Sequence, residues 1–269
     1  SRSHSDQTID ACNSVALREL VLWNVGEILS CFTQLDRLSS LERLTFTDCG
    51  RLTELPDALG TLPKLATLSL HGCTALTRLP DSLATLPLLD ALHLNGCYGL
   101  TELPAWIFTG RKWRSLGLPP GLMALPEWVC HEQSPLLTAL DLEFCARLTE
   151  LPQEISALTA LRNLSTKACA TLTCLPESVD RLKALATLDL SECESLTCLP
   201  ESIGQLTALT TLDLGGCKAL TVLPESVDQL TALTTLGLPA GIRSFPPWGC
   251  QMAALRTLSF SRCAALTVL

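Results

Sequence analysis

Leucine recurs along this chain at intervals that place apolar residues in short alternating runs, separated by polar turns of constant length. The unit L-x-x-L-x-L-x-x-C begins at Leu41, Leu65, Leu89, Leu137, Leu161, Leu185 and Leu209, and these starts are multiples of 24 apart. Phe46 takes the third apolar place in the unit from Leu41, and Thr166 takes it in the unit from Leu161. Looser copies from Leu17, Trp113, Leu233 and Leu255 bring the total to eleven, the last step being 22 because the unit from Leu233 is two residues shorter.

Each full unit continues as x-x-L-x-x-L-P-x-x-[L/I/V]-x-x-L, which Leu209 to Leu230 shows in every element. Alternation in a segment such as T-L-D-L predicts a short strand with one buried face. The segment Pro224-Glu225-Ser226-Val227 predicts a tight helical turn with proline at its first helical position. A strand and a turn this short cannot bury their apolar sides alone, but stacked copies can. The fold class expected is therefore α/β: a repeat solenoid with a curved parallel β-sheet on its concave side and short helical or 3-10 segments on its convex side. Residues 1–16 read as an N-terminal extension or weak cap and 17–269 as about eleven repeats. The last repeat stops where proline should follow, as expected of a piece of a longer protein.

Composition agrees with a core built from one side-chain shape: 47 % of residues are apolar but only 4 % aromatic. No apolar run approaches the roughly 18 residues of a membrane span, and Ser1 to Asp6 lacks a signal-peptide layout. The formal charge of −8, with no block of Lys or Arg, argues against nucleic acid and against an acidic membrane surface as partners.

The repeat resembles the leucine-rich-repeat family over about residues 17 to 269. Its cysteine form, followed by L-P-[E/D]-S-[I/V]-x-x-L, is similar to repeats of plant intracellular immune receptors and of some bacterial effectors delivered into host cells. It departs from the plant receptor-kinase type, which carries Asn at the cysteine place. The resemblance implies a non-catalytic protein-recognition module of a larger intracellular protein, in the cytoplasm or in a host cytosol. Alternatives are a structural or assembly solenoid, or the substrate-recognition part of a ubiquitin ligase whose catalytic domain lies outside this chain. A monomer is expected, with end-to-end association as the competing state.

Two units differ from the rest and resemble each other. Leu116-Gly117-Leu118-Pro119-Pro120-Gly121-Leu122 recurs as Leu236-Gly237-Leu238-Pro239-Ala240-Gly241-Ile242, 120 residues on. Both lose the cysteine and then carry Trp128 or Trp248, with Cys130 or Cys250 two places later. Two readings stay open: a local change of curvature filled by tryptophan, or a binding notch.

Eight of the fourteen cysteines, Cys49, Cys73, Cys97, Cys145, Cys169, Cys193, Cys217 and Cys263, share one repeat position. There a small side chain turns inward and can offer its S–H to backbone carbonyls, a thiol ladder suited to a reducing compartment. Cys169, Cys174, Cys193 and Cys198 imitate a metal site, but Cys174 and Cys198 occupy a position held by Glu54, Arg78, Glu102 and Glu150 elsewhere. They should face solvent while their partners face the core, so no metal and no cofactor is expected. The sequon Asn163-Leu164-Ser165 matters only in a secreted protein. No nucleophile elbow, phosphate loop or dinucleotide fingerprint is present, and His131-Glu132 lacks the second histidine of a zinc helix.

Binding is expected on the concave side, at the third, fifth, seventh and eighth places of the unit, where neighbours of the inward leucines point outward. Ten strand gaps of about 4.8 Å give a sheet on the order of 50 Å wide, room for the roughly 800 Å² per partner of a standard interface. Trp23 and Arg43 stand at the N-terminal end, followed by His71 and His93. Asp141, Glu143 and Phe144 open an acidic stretch, continued after Lys167 by Asp189, Glu192 and Asp213, with Arg262 at the far end. The acidic part favours a basic protein partner, against the alternative of a merely solvated acidic face. Trp23, Arg43, Phe144 and Arg262 are the hot-spot candidates by residue type. His71 and His93 read either as polar fillers or as a metal or pH site. Replacing Asp141, Asp189 and Asp213 together by lysine should abolish partner binding and leave the fold intact.

Overall fold

A computed structural model describes residues 16–25, 38–108, 112–131, 136–261, 263, 266 and 267. Arg262, residues 1–15 of the expected cap and the chain end at Leu269 lie outside the described residues. The chain divides into two compact units, Ser1–Arg111 and Lys112–Leu269.

Four parallel strands run in sequence order through the first unit: β1 (Glu19–Trp23), β2 (Arg43–Thr47), β3 (Thr67–Ser69) and β4 (Ala91–His93). The second holds seven: β5 (Ser115–Gly117), β6 (Ala139–Asp141), β7 (Asn163–Ser165), β8 (Thr187–Asp189), β9 (Thr211–Asp213), β10 (Thr235–Gly237) and β11 (Thr257–Ser259). Register is set by the repeat itself, since Leu140, Leu164, Leu188, Leu212 and Leu236 pair one with the next. A slip by one residue would turn every leucine outward, which the core forbids. Each unit is thus a stack of leucine-rich repeats.

The core is the leucine set. Leu185, Leu188 and Leu190 are wholly buried, as are their counterparts Leu209, Leu212 and Leu214. Each such side chain contributes about 1.5–3 kcal/mol on leaving water. Trp113, the largest fully buried side chain, fills the first leucine place of its unit, and Phe46 fills the third.

The ladder cysteines point inward, as their position requires. Cys97, Cys169, Cys193 and Cys217 donate S–H to Leu70, Leu142, Thr166 and Leu190 carbonyls at 3.1, 3.1, 3.0 and 3.1 Å. Each of these bonds runs to the third apolar residue of the preceding repeat. Burial pushes the Cys73, Cys97, Cys193 and Cys217 thiols up to about 12, because a thiolate there would lose its water. Cys174 and Cys198 are exposed, so the four-cysteine cluster is split between core and surface as the repeat requires.

Among the described residues the convex turns are mostly 3-10, for example Glu201–Gln205 and Glu225–Gln229, with one short α-helix, α1 (Glu127–His131). Proline does not sit at the first helical position in the regular turns; it is the residue before it. Pro200 and Pro224 are extended caps whose carbonyls accept from Ile203 and Val227 N–H at 3.0 and 3.3 Å. The fixed φ of proline suits that extended approach, and its missing N–H is not needed there. Among the described turns only Pro247 occupies the expected place, behind Pro246.

Candidate functional site

The outward residues inherit their geometry from the turn that follows each strand. At the eighth repeat place the backbone is left-handed eight times over: Asn24, Asp48, Gly72, Gly96, Phe144, Ala168, Glu192 and Gly216 all have positive φ. In seven of the eight the next residue is a ladder cysteine, which the reversal turns into the core. In the unit from Trp113 the eighth place is Pro120, whose ring fixes φ near −65°. The turn is rebuilt there, and the cysteine is gone.

In the second unit the fifth place forms a row across neighbouring strands: Gly117, Asp141, Ser165, Asp189, Asp213 and Gly237. Asp141 Oδ1 accepts from Glu143 N–H, Asp189 Oδ1 from Ser191 N–H and Asp213 Oδ1 from Gly215 N–H, each at 2.9 Å. The three carboxylates are therefore anchored by the turn they cap, a local bond typical of aspartate. Ser165 does the same work more weakly toward Lys167 N–H, at 3.4 Å, and its hydroxyl approaches Glu143 Oε1, also at 3.4 Å. Glycine at the end of the row has a reason: a Cβ on Gly237 would collide with the Asp213 carboxylate.

Placement of the expected residues follows. Asp141, Glu143, Phe144, Lys167, Asp189, Glu192 and Asp213 are half-buried neighbours on the strand face of the second unit. Phe144 and Glu192 are held in the left-handed turn, at φ 65° and 61°. Trp23, Arg43, His71 and His93 belong to the first unit. Trp23 is 72 % exposed and its indole N–H donates to Asp48 Oδ2 at 3.3 Å. Arg43 is exposed, while His71 and His93 are half-buried. Desolvation, then the charge of His71, lowers the His93 pKa below the usual imidazole value. No group of three His, Cys, Asp or Glu side chains able to hold a metal occurs among the described residues. Trp128 and Trp248 are half-buried on the convex turns.

Sequence reasoning passed over Val21, 56 % exposed beside Trp23 and the one aliphatic residue of the first unit's fifth-place row. Its signal was visible, because that place is polar in the neighbouring units, but valine reads first as a strand former. The structural role of the three aspartates was also missed. It is encoded in a spacing of two residues between a carboxylate and an N–H that only the turn brings together.

No helix among the described residues is long and apolar enough to cross a membrane. No protein-family model and no curated protein matches the sequence. Solved structures do. The leucine-rich-repeat domain of the type III effector XopL is 28 % identical at a TM-score of 0.64, over 87 % of this chain and 80 % of that one. A leucine-rich-repeat protein of Leptospira interrogans is 28 % identical at a TM-score of 0.54, over 94 % of this chain and 77 % of that one. Repeat, register and these likenesses give the chain the fold of a leucine-rich-repeat solenoid. Its class is that of a repeat scaffold for protein interaction.

Proposed function

We propose that the chain recognises a basic segment of a partner protein through the aspartate row of its second unit. What supports this most is the arrangement of Asp141, Asp189 and Asp213. Each gives one oxygen to its own turn and so holds the other in a fixed place. Asp189 and Asp213 are direct register partners, and Gly117 and Gly237 leave the row free of side chains on either side. Preset carboxylates pair with Lys or Arg at lower ordering cost than mobile ones. Likeness to the repeat domain of an effector supports reading this chain as a module of a larger effector-like protein working in a host cytosol.

Lysine replacements are a poor test, because lysine cannot accept the Ser191 or Gly215 N–H. The triple change Asp141→Asn, Asp189→Asn and Asp213→Asn keeps an acceptor oxygen and removes three charges. Titrated with labelled Arg- and Lys-rich peptides in fluorescence anisotropy, the wild-type chain should bind with an affinity that falls as salt rises. The triple variant should lose about tenfold or more, a little over 1.4 kcal/mol. Equal affinities for the two proteins, with unchanged circular dichroism, would remove the proposal.

A further inference from the structure

The fourteenth place of each repeat lies in the segment after the turn, away from the strand row. It forms a ladder of its own. Glu150 and Cys174 make a parallel bridge there. Next along, Thr197 N–H donates to the Thr173 carbonyl at 3.0 Å, and Thr197 Oγ1 reaches the same oxygen at 3.2 Å. Side chains on this ladder meet, as Arg78 Nη2 and Glu54 Oε2 do at 2.7 Å in the first unit.

In the second unit two successive members of the ladder are Cys174 and Cys198, both exposed, while Cys145, Cys169, Cys193 and Cys217 on the strand side are buried. Thr173 Oγ1 lies 3.9 Å from Cys174 Sγ, and Thr197 Oγ1 lies 3.9 Å from Cys198 Sγ. Each cysteine thus has the same local geometry against the threonine before it, and the Thr197–Thr173 backbone bond sets the two segments side by side at one strand spacing. That spacing is about 4.8 Å, inside the roughly 4.4–6.8 Å between Cα atoms that a disulfide can span.

We propose that Cys174 and Cys198 are a redox-active dithiol, which closes into an inter-repeat disulfide by exchange with a low-molecular-weight disulfide such as oxidised glutathione. The thiolate of one cysteine attacks the glutathione disulfide, forming a mixed disulfide and releasing one glutathione thiolate. The second cysteine, as thiolate, attacks the protein sulfur of that bond and releases the other glutathione. Two protein thiols are oxidised to one disulfide, and one glutathione disulfide is reduced to two thiols; the two protons pass to solvent or to the leaving thiolates. Side chains on adjacent parallel strands must draw together to bring the Cβ atoms to about 3.8 Å. An exposed bridge that pulls on its ladder is easily reduced again, so the pair acts as a reversible sensor, not a structural staple. The ladder thiols Cys193 and Cys217 stay out of this chemistry, because burial keeps them protonated.

The test uses the reduced full chain under native conditions. Oxidised glutathione is added, free thiols are alkylated, and fragments are sequenced by mass spectrometry. The expected result is loss of two alkylatable thiols, a covalent link between Cys174 and Cys198, and full reversal by dithiothreitol, with Cys169, Cys193 and Cys217 untouched. The Cys198→Ser variant should stop at glutathione attached to Cys174. Separate glutathione on both cysteines, no reaction at either, or a link only between two chains would each overturn the proposal. Serine at an exposed place leaves the core as it is, and circular dichroism of the variant verifies that.

Discussion

One residue in each repeat decides where its neighbours go. In the regular repeats the eighth place is left-handed, and glycine fills it at Gly72, Gly96 and Gly216, whereas Glu192 and Phe144 accept the strain. A Cβ on Gly216 would lie 3.2 Å from Glu192 Cγ and would sit on a backbone of φ 84°. Gly216→Ala should therefore cost about 1–2 kcal/mol in urea unfolding; no loss would show that this turn relaxes freely. The ladder cysteines carry a pH signature. Their pKa is raised in the fold to about 12 from the ordinary 9.0, so above pH 9 the unfolded chain holds fewer protons than the folded one. Stability is then fully present below pH 9 and is lost as pH climbs toward 12. Scanning calorimetry should find the melting temperature falling steadily from pH 9 to pH 11; a level curve would contradict a buried neutral ladder. His93 works in the other direction. Its lowered pKa gives stability that is present above the unfolded value of 6.5 and declines as pH drops through the folded one, and its proton titration by NMR should centre below 6.5.

Strand and turn act together as one element, and the element is stabilised by its two neighbours more than by itself. Strands of three residues such as Thr187–Asp189 have no independent stability. What holds them is the leucine column and a set of hydroxyl bonds to the preceding repeat. Thr210 and Thr234 donate to Ala186 and Thr210 carbonyls at 2.9 and 3.0 Å. Ser178 and Ser202 do likewise on the convex side, at 2.7 and 2.8 Å. The ion pair Lys218–Glu194, at 2.7 Å, also joins neighbouring repeats, but both partners are exposed and such pairs give about 0–1 kcal/mol. Leucine is decisive by comparison. Leu188→Ala should cost about 2–5 kcal/mol, read as a shift of the urea midpoint, whereas Lys218→Ala should move it hardly at all.

At the scale of the whole molecule, stability follows the one-dimensional logic of a repeat stack, in which each coil is supported by its neighbours. Burial within the second unit shows it. Leu209 and Leu212 are fully buried, while Leu255, Leu258 and Cys263 in the last repeat are only half-buried. Amide hydrogen exchange of residues 1–269 should consequently be fastest in β11 and slowest in β7 to β9, because the less buried repeat opens at lower cost. Uniform protection from β5 to β11 would mean that the unit opens only as a whole. Net charge of −8 bears on encounter, not on fold. It favours approach of a cationic partner at low salt, and its influence shortens as the screening length falls to about 8 Å at physiological ionic strength.

Much of this was legible in the leucines alone. A period of 24 residues fixes strand direction, register, the inward cysteines and the outward columns, because only one arrangement buries every leucine at once. The same period separated Cys174 and Cys198 from Cys169 and Cys193, placing one pair outside and the other inside. Tertiary structure decided the rest. Which proline position begins the turn, which glycine makes room for Asp213, and how each aspartate caps the turn that follows it depend on atoms that only the folded chain brings together. Identical motifs therefore carry one fold, but the use of each outward side chain is set by the coil before it and the coil after it.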